Sequence, residues 1–302
     1  MVIIPERLKE CTRGYFGADA DVWLKRLPQL VADAVERWEL ELGDVSETAG
    51  TGLVCFATRV GKDVVVKIAY PHGEHFTGVE AMRVYGGQSC VSVIDTAEAG
   101  SQVLMERVLP GKHLYELENE EEEVCAAAGL IGRLQRPIPE QHELPPHTTW
   151  VENSLRHMAS SKVTDELLPP VLVKALEHTV ADLEALRRPV VLHGDLHHEN
   201  ILLDATEGWV AIDPKGLTGD PALEIGRYIG QQLHRAEAAG GYRVLTDRRI
   251  ELFARELGEP IERMRAAAAV DLIMCMGWEL ENEDFNVADF ARNRDRALHL
   301  VG

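Results

Sequence analysis

Asp195, Asn200 and Asp213 lie in one segment of this chain, VVLHGDLHHENILLDATEGWVAID, residues 190–213. Asp195 and Asn200 are five positions apart across a tight loop, and Asp213 follows a further hairpin arm. The apolar runs 190–192, 201–203 and 209–212 read as strands, so the polar residues fall at the seams between them. Asp195 can then face an acceptor hydroxyl while Asn200 and Asp213 hold Mg²⁺, the division of labour of kinase catalytic loops. The spacing points to phosphoryl transfer.

His193, His197 and His198 beside Asp195 support a rival reading as metal ligands of a hydrolase. A zinc site draws further His or Cys ligands at recognisable spacing, and the sequence contains neither HExxH nor a paired CxxC. A polar loop capped by its own side chains is the remaining structural alternative.

A second constellation lies upstream. In DVVVKIAY, residues 63–70, Lys67 interrupts an apolar strand, where a buried ammonium needs a partner. Glu80, thirteen residues later, shares a helical face with Phe76 and Val84 and is the predicted partner, a pair that in kinases orients the lysine onto nucleotide phosphates. The alternative is a Lys67 that snorkels to water and a Glu80 that faces solvent. In the turn ETAGTG, residues 47–52, Gly50 and Gly52 could bring backbone amides over phosphates, although no full GxGxxG is present. By position alone, the Glu106 carbonyl and Val108 amide of LMERV are candidates for an adenine edge.

The elements that must hold these residues divide in two. Val22, Trp23, Leu27, Leu30, Val31, Ala34, Val35 and Trp38 recur at helical spacing, with Pro28 placed to open a second helical segment. Residues 44–70 read as a β-meander with turns at Gly50 and Gly52 and at Gly61, Lys62 and Asp63. A helix over 73–85 and strands near 90–95 and 102–107 complete a small β-rich lobe. The acidic run from Glu116 to Glu123 opens a helix continuing through 126–136, its carboxylates complementing the helix dipole. A proline-rich connector, 137–146, precedes helices near 150–160 and 170–187, and further helices are predicted over 222–238, 242–257, 261–280 and 287–300. The expected class is α+β, with a lobe over 1–108 and a helical lobe over 109–302.

The 302 residues carry a net charge of −19, which disfavours nucleic acid and anionic membranes as partners and favours a cationic ligand, unless the charge is only a solvating coat. Five scattered cysteines fit reduced thiols. No secretory or membrane-spanning stretch is apparent, so the expectation is a cytoplasmic protein, with no obligate protein partner inferred.

HGDLHHENIL followed by WVAIDPKGLTGDPALEIG, residues 209–226, together with WLKRLPQL near Trp23 and VEAMRVYGG around Glu80, resembles the aminoglycoside phosphotransferase family. The similarity covers nearly the whole chain and is greatest to the aminoglycoside/hydroxyurea resistance kinase group, in its streptomycin 6-phosphotransferase branch. It implies a protein-kinase-like two-lobe fold with ATP as donor. It also implies Asp195 as catalytic base, Asn200 and Asp213 as Mg²⁺ ligands, Lys67 with Glu80 as the phosphate-positioning pair, and His193 as a loop buttress. Lys215 would contact phosphate or acceptor, or else pair locally with Asp220. Gly194 stands where protein kinases have the arginine of HRD, and Pro214 where they have the phenylalanine of DFG. Only six residues separate Asp213 from Asp220, too few for a peptide-docking activation segment, which favours a small-molecule acceptor. The acids of GWELENEDF (Glu279, Glu281, Glu283 and Asp284) would suit guanidinium or ammonium groups, with Trp278 stacking on them, unless the stretch is a solvated helix end. Streptomycin, with two guanidinium groups, is the sharpest acceptor hypothesis. Another aminocyclitol, a hydroxyurea-like compound, an ordinary metabolite, or a nucleotide-binding module without transfer activity remain as alternatives.

Overall fold

The alternating apolar residues of the first hundred positions build one antiparallel sheet. In the computed structural model, which describes residues 2–186, 189–281 and 284–302, two helices come first, α1 (Glu6–Phe16) and α2 (Asp19–Trp38). The strands β1 (Glu41–Val45), β2 (Gly52–Arg59) and β3 (Lys62–Ala69) follow, then α3 (Gly73–Tyr85), β4 (Val93–Ala97) and β5 (Gln102–Glu106). The sheet order is β1-β2-β3-β5-β4. β2 and β3 pair without interruption from Gly52↔Ala69 to Arg59↔Lys62. Their turn uses Val60 and Gly61, both left-handed, so Lys62 and Asp63 belong to the strand and not to the turn expected from the sequence.

Strand periodicity decides what faces where. Val64, Val66 and Ile68 of β3 pack with Leu53, Cys55 and Leu104 against Trp23, Leu27, Leu30 and Trp38 of α2. Val65 and Lys67 therefore point to the other face, where Val65 joins the second core. Pro28 does not open a helix but lies inside α2. It sits on the exposed side of that helix, where water can satisfy the carbonyl that a proline nitrogen leaves free. Val22 is exposed as well and does not belong to the apolar stripe.

The rest of the chain runs β6 (Pro110–His113), α4 (Glu120–Leu134), β7 (Arg136–Pro137), α5 (His147–Ser160), α6 (Pro170–Leu186), β8 (Val190–Leu192), β9 (Ile201–Asp204), β10 (Gly208–Ala211), β11 (Leu217–Gly219), α7 (Ile225–Gly230), α8 (Tyr242–Leu257), α9 (Ile261–Glu279) and α10 (Val287–Val301). β9 and β10 form the expected hairpin, extended by β6, and β8 lies between β11 and β7. α9 is central, packed by α5, α6, α7, α8 and α10 and buried from Met264 to Gly277 on most of its surface.

The helix expected over 222–238 is instead a short turn at Pro221–Glu224, the brief α7, and another turn at Leu233–Arg235. Arg249 of α8 explains the break: its buried guanidinium takes the carbonyls of Tyr228, Ile229 and Gln231, ending α7 where the sequence suggests continuation. Its charge is met by Glu120. The acidic run does start α4, capped by the Asn119 side chain. It is more than a coat, because Glu123 is fully buried and pairs with Arg235 at 2.6 Å. Among the described residues no helix is long and apolar enough to cross a membrane, and all five cysteines are free thiols.

Candidate active site

The site grows from the end of β8. There the chain enters the loop at His193, which is fully buried and holds both of its ring nitrogens in use. Nε2 lies 2.9 Å from the Ile212 carbonyl and Nδ1 accepts the Asp195 amide at 3.2 Å, which fixes the neutral tautomer with its proton on Nε2. Burial pushes this imidazole down to about 4. His193 thus ties the loop to the segment leading into Asp213, the buttress the sequence suggested, and has no ring nitrogen left for a metal. Gly194 follows with φ near +78°, and a Cβ there would lie 2.9 Å from Leu217 Cδ1. That crowding explains why the position has no arginine.

Beneath the loop, the Glu224 carboxylate accepts the amides of both His193 and Gly194. Burial pushes Glu224 up to about 7, against the opposing pull of those two hydrogen bonds. Asn200 donates its Nδ2 to the Asp195 carbonyl at 2.9 Å, its Oδ1 accepts no hydrogen bond among the described residues, and its backbone carbonyl takes the Ile212 amide. Asp213 has a left-handed backbone, φ 56°, and its carboxylate meets Lys67 Nζ in a direct ion pair. Burial would raise this acid, but Lys67 and Lys215 outweigh it and hold Asp213 well below the usual carboxylate range.

The expected pair of Lys67 with Glu80 is not formed. Glu80 instead accepts the Glu143 amide at 3.0 Å. α3 turns a different face to the site: Thr77 Oγ1 donates to the Lys215 carbonyl, and a Cβ on Gly78 would lie 2.1 Å from the Pro214 oxygen. Glu80, two and three residues beyond these, points toward the 140–143 loop. The local pair of Lys215 with Asp220 is likewise absent. Arg263 takes Asp220 at 2.5 Å, while Lys215 Nζ lies 3.8 Å from Asp195 Oδ2.

Gly52 stands beside Lys67, since a Cβ there would come within 3.2 Å of the lysine Cε, whereas Gly50 faces open space. Glu106 is the last residue of β5 and Val108 lies two residues beyond, packed at the edge of the second core. Of the acids near the end of α9, Glu279 is engaged by Asn293 at 2.7 Å and Glu281 is exposed; Glu283 lies outside the described residues. Trp278 connects to Asp195 through a residue that the sequence does not single out.

That residue is Arg227 on α7. Its Nε lies 3.5 Å from Asp195 Oδ1 and 3.4 Å from Asp271 Oδ1, and its guanidinium sits 5.0 Å from the Trp278 ring centroid. The available signal was a single charge inside an apolar run, Arg227 in IGRYIG and Asp271 in AAAAVDLIMCMGW, since such charges must find each other or a ligand.

The arrangement offers an accessible carboxylate flanked by cations, with a carboxylate and an amide oxygen close by. Among the described residues no three His, Cys, Asp or Glu side chains converge on one point. The Asp213 carboxylate and the Asn200 amide oxygen are donors that could hold Mg²⁺, which takes few protein ligands and completes its shell with substrate phosphates and water. A β-sheet lobe bearing the strand lysine, joined to a helical lobe bearing this loop, is the protein-kinase-like fold of an ATP-using phosphotransferase. The chain belongs to the aminoglycoside/hydroxyurea antibiotic resistance kinase family, whose sequence model matches residues 37–281. It is 30% identical over 287 residues to a streptomycin 6-kinase of Streptomyces griseus, covering 92% of this chain and 91% of that one. It is 27% identical to a hydroxyurea phosphotransferase of Kitasatospora aureofaciens, covering 93% and 82%. The choline kinase LicA from Streptococcus pneumoniae shares the fold, with a TM-score of 0.62 at 13% identity over 91% of this chain and 99% of that one.

Proposed function

We propose that the protein transfers the γ-phosphate of Mg·ATP to a hydroxyl of a small cationic aminocyclitol, the 6-hydroxyl of streptomycin, and so confers antibiotic resistance. The observation that carries this reading is the convergence of Asp195, Asn200 and Asp213 on one loop and hairpin, with Lys67 reaching Asp213 from β3. Nucleotide is held between the lobes 1–108 and 109–302.

In the reaction the acceptor oxygen bonds to the γ-phosphorus as the bond to the bridging β–γ oxygen breaks. The acceptor proton passes to Asp195, and ADP leaves. Lys215 and Arg227, 3.8 and 3.5 Å from Asp195, place positive charge beside the carboxylate that acts as the base. Asn200 Oδ1 and Asp213 are the ligands for Mg²⁺, which when bound neutralises charge on the phosphate oxygens. Lys67 turns from Asp213 to the nucleotide phosphates, with room for its stem supplied by Gly52. Gly50 lies over the phosphates, and the Glu106 carbonyl and Val108 amide meet the adenine. Trp278, Glu281 and the overall charge of −19 favour a cationic acceptor, while Glu279 shapes the wall through Asn293. Glu80 acts indirectly, by anchoring α3 to the Glu143 amide.

A second reading has a specific observation behind it. Two cations sit against Asp195, which an uncharged acceptor such as hydroxyurea tolerates more easily than a guanidinium does. Incubation with Mg·ATP and either acceptor, followed by ³¹P NMR of the isolated product, separates the two. A phosphorus signal coupled to the streptomycin 6-position supports the first reading. No phosphorylated streptomycin from folded, ATP-binding protein overturns it.

A further inference from the structure

We propose that Arg227 is a positioning residue for Asp195 and that Asp271 is its counter-ion. The proposal rests on Asp195 being the base. Among the described residues no hydrogen bond reaches the Asp195 carboxylate, whose cationic neighbours Arg227 and Lys215 stand off at 3.5 and 3.8 Å. With no such bond to hold it, the orientation of the carboxylate is set by these standing charges, and both of its oxygens stay open to an incoming hydroxyl.

Arg227 is built for that task. Three residues before it, Glu224 clamps the backbone of His193 and Gly194, so one short segment fixes both the main chain and the side-chain charge of the loop. The guanidinium is itself held by one face of α9. Asp271 lies 3.4 Å from Nε, Cys275 Sγ accepts from Nη1 at 2.9 Å, and the Trp278 ring lies beneath, at positions spaced by four and three residues. Gly226 makes the approach possible, because a Cβ there would lie 2.3 Å from Asp271 Cβ. Nε is buried and bonded to neither carboxylate, lying between the two acids. A tie between α7 and α9 alone would need only Asp271; the contact with Asp195 is what a positioning role adds.

The test uses Arg227→Gln, Arg227→Ala and Asp271→Asn in the full chain, with two readouts: streptomycin-dependent ADP release and acceptor-free ATP hydrolysis. The second readout needs no acceptor, so it still reports on Arg227 if streptomycin proves to be the wrong substrate. Arg227→Gln is expected to lower kcat roughly 10- to 100-fold, with KM for ATP unchanged, because misplacing a reacting group acts on kcat. Millimolar guanidinium should restore part of the activity of Arg227→Ala and none of that of Asp195→Asn. Asp271→Asn should lower kcat several-fold, about the size of loss a displaced charge contact produces, and add little in the Arg227→Gln background. Unchanged kcat with only a lowered melting temperature overturns the proposal. Should Arg227→Gln fail to fold, the nearly isosteric Asp271→Asn decides, and wild-type kcat there overturns it equally. Full turnover by Asp195→Asn removes the base, and the proposal with it.

Discussion

Lys67 on β3 and Asp213 after β10, 146 residues apart in the chain, are in direct contact as an ion pair. The lysine therefore spans the two halves of the molecule and neutralises the carboxylate proposed to hold Mg²⁺. In the proposed reaction, nucleotide and metal binding exchange this contact for two others, lysine to phosphate and aspartate to metal.

Replacing the lysine tests that exchange. Lys67→Met is expected to raise KM for ATP and lower kcat at least tenfold, as loss of a phosphate contact made in the transition state would do. Asp213 is held below its ordinary value of 3.8, so its contribution to stability is present above about pH 4 and lost as pH falls further. Urea unfolding of Lys67→Met at pH 7 and pH 3 should show less acid sensitivity from this group than wild type. Equal kinetics and equal acid sensitivity would contradict the assignment.

Glu224 has the opposite sign. Its folded value near 7 exceeds its ordinary 4.5, so between those values the native state retains a proton that the unfolded chain has released. Its contribution to stability therefore falls as pH rises from 4.5 to 7. Glu224→Gln should flatten that slope. It should also cost about 1–3 kcal/mol, because one of the two loop amides then faces an NH₂ group and not an acceptor. Unfolding curves across this pH range provide the check.

Glycine packing makes a third prediction. Gly216 has φ near +73°, and a Cβ there would lie 2.1 Å from the Thr77 carbonyl. Gly216→Ala must push α3 away from the Asp213 loop, so kcat should drop and thermal stability fall by more than about 1 kcal/mol. Gly132→Ala, in α4 with nothing within 4 Å, should be neutral or stabilising by about 0.4–1 kcal/mol. Similar melting temperatures for both variants would refute the close packing.

How far the sequence reaches is clear from these residues. The loop–hairpin with Asp195, Asn200 and Asp213 was readable because strand periodicity and spacing are local. α3, Gly73–Tyr85, is legible for the same reason. The partner of Lys67 was not readable, since choosing between Glu80 and Asp213 depends on how α3 rotates against a loop more than 130 residues away, which Gly78 and Gly216 decide by close contact. The short α7 was hidden because Arg249, from another helix, ends it. Arg227 and Asp271 carried a signal, lone charges in apolar runs, whose meaning appears only when α7 and α9 touch.

The proposed acceptor wall is testable on its own terms. Glu281→Gln should raise the acceptor KM severalfold and leave the KM for ATP unchanged, because an exposed acid contributes by charge at roughly 0.2–1 kcal/mol. Trp278→Ala should raise the acceptor KM and also lower kcat, since the indole supports Arg227. If both variants behave as wild type toward streptomycin, the acceptor lies elsewhere.

Acceptor-dependent ADP release by wild type and Asp195→Asn, side by side with streptomycin and Mg²⁺, tests the central claim most directly. Wild type is expected to turn over, and the rate to fall about 10²- to 10⁴-fold in Asp195→Asn, with ATP affinity retained. Comparable turnover by the two proteins would contradict it.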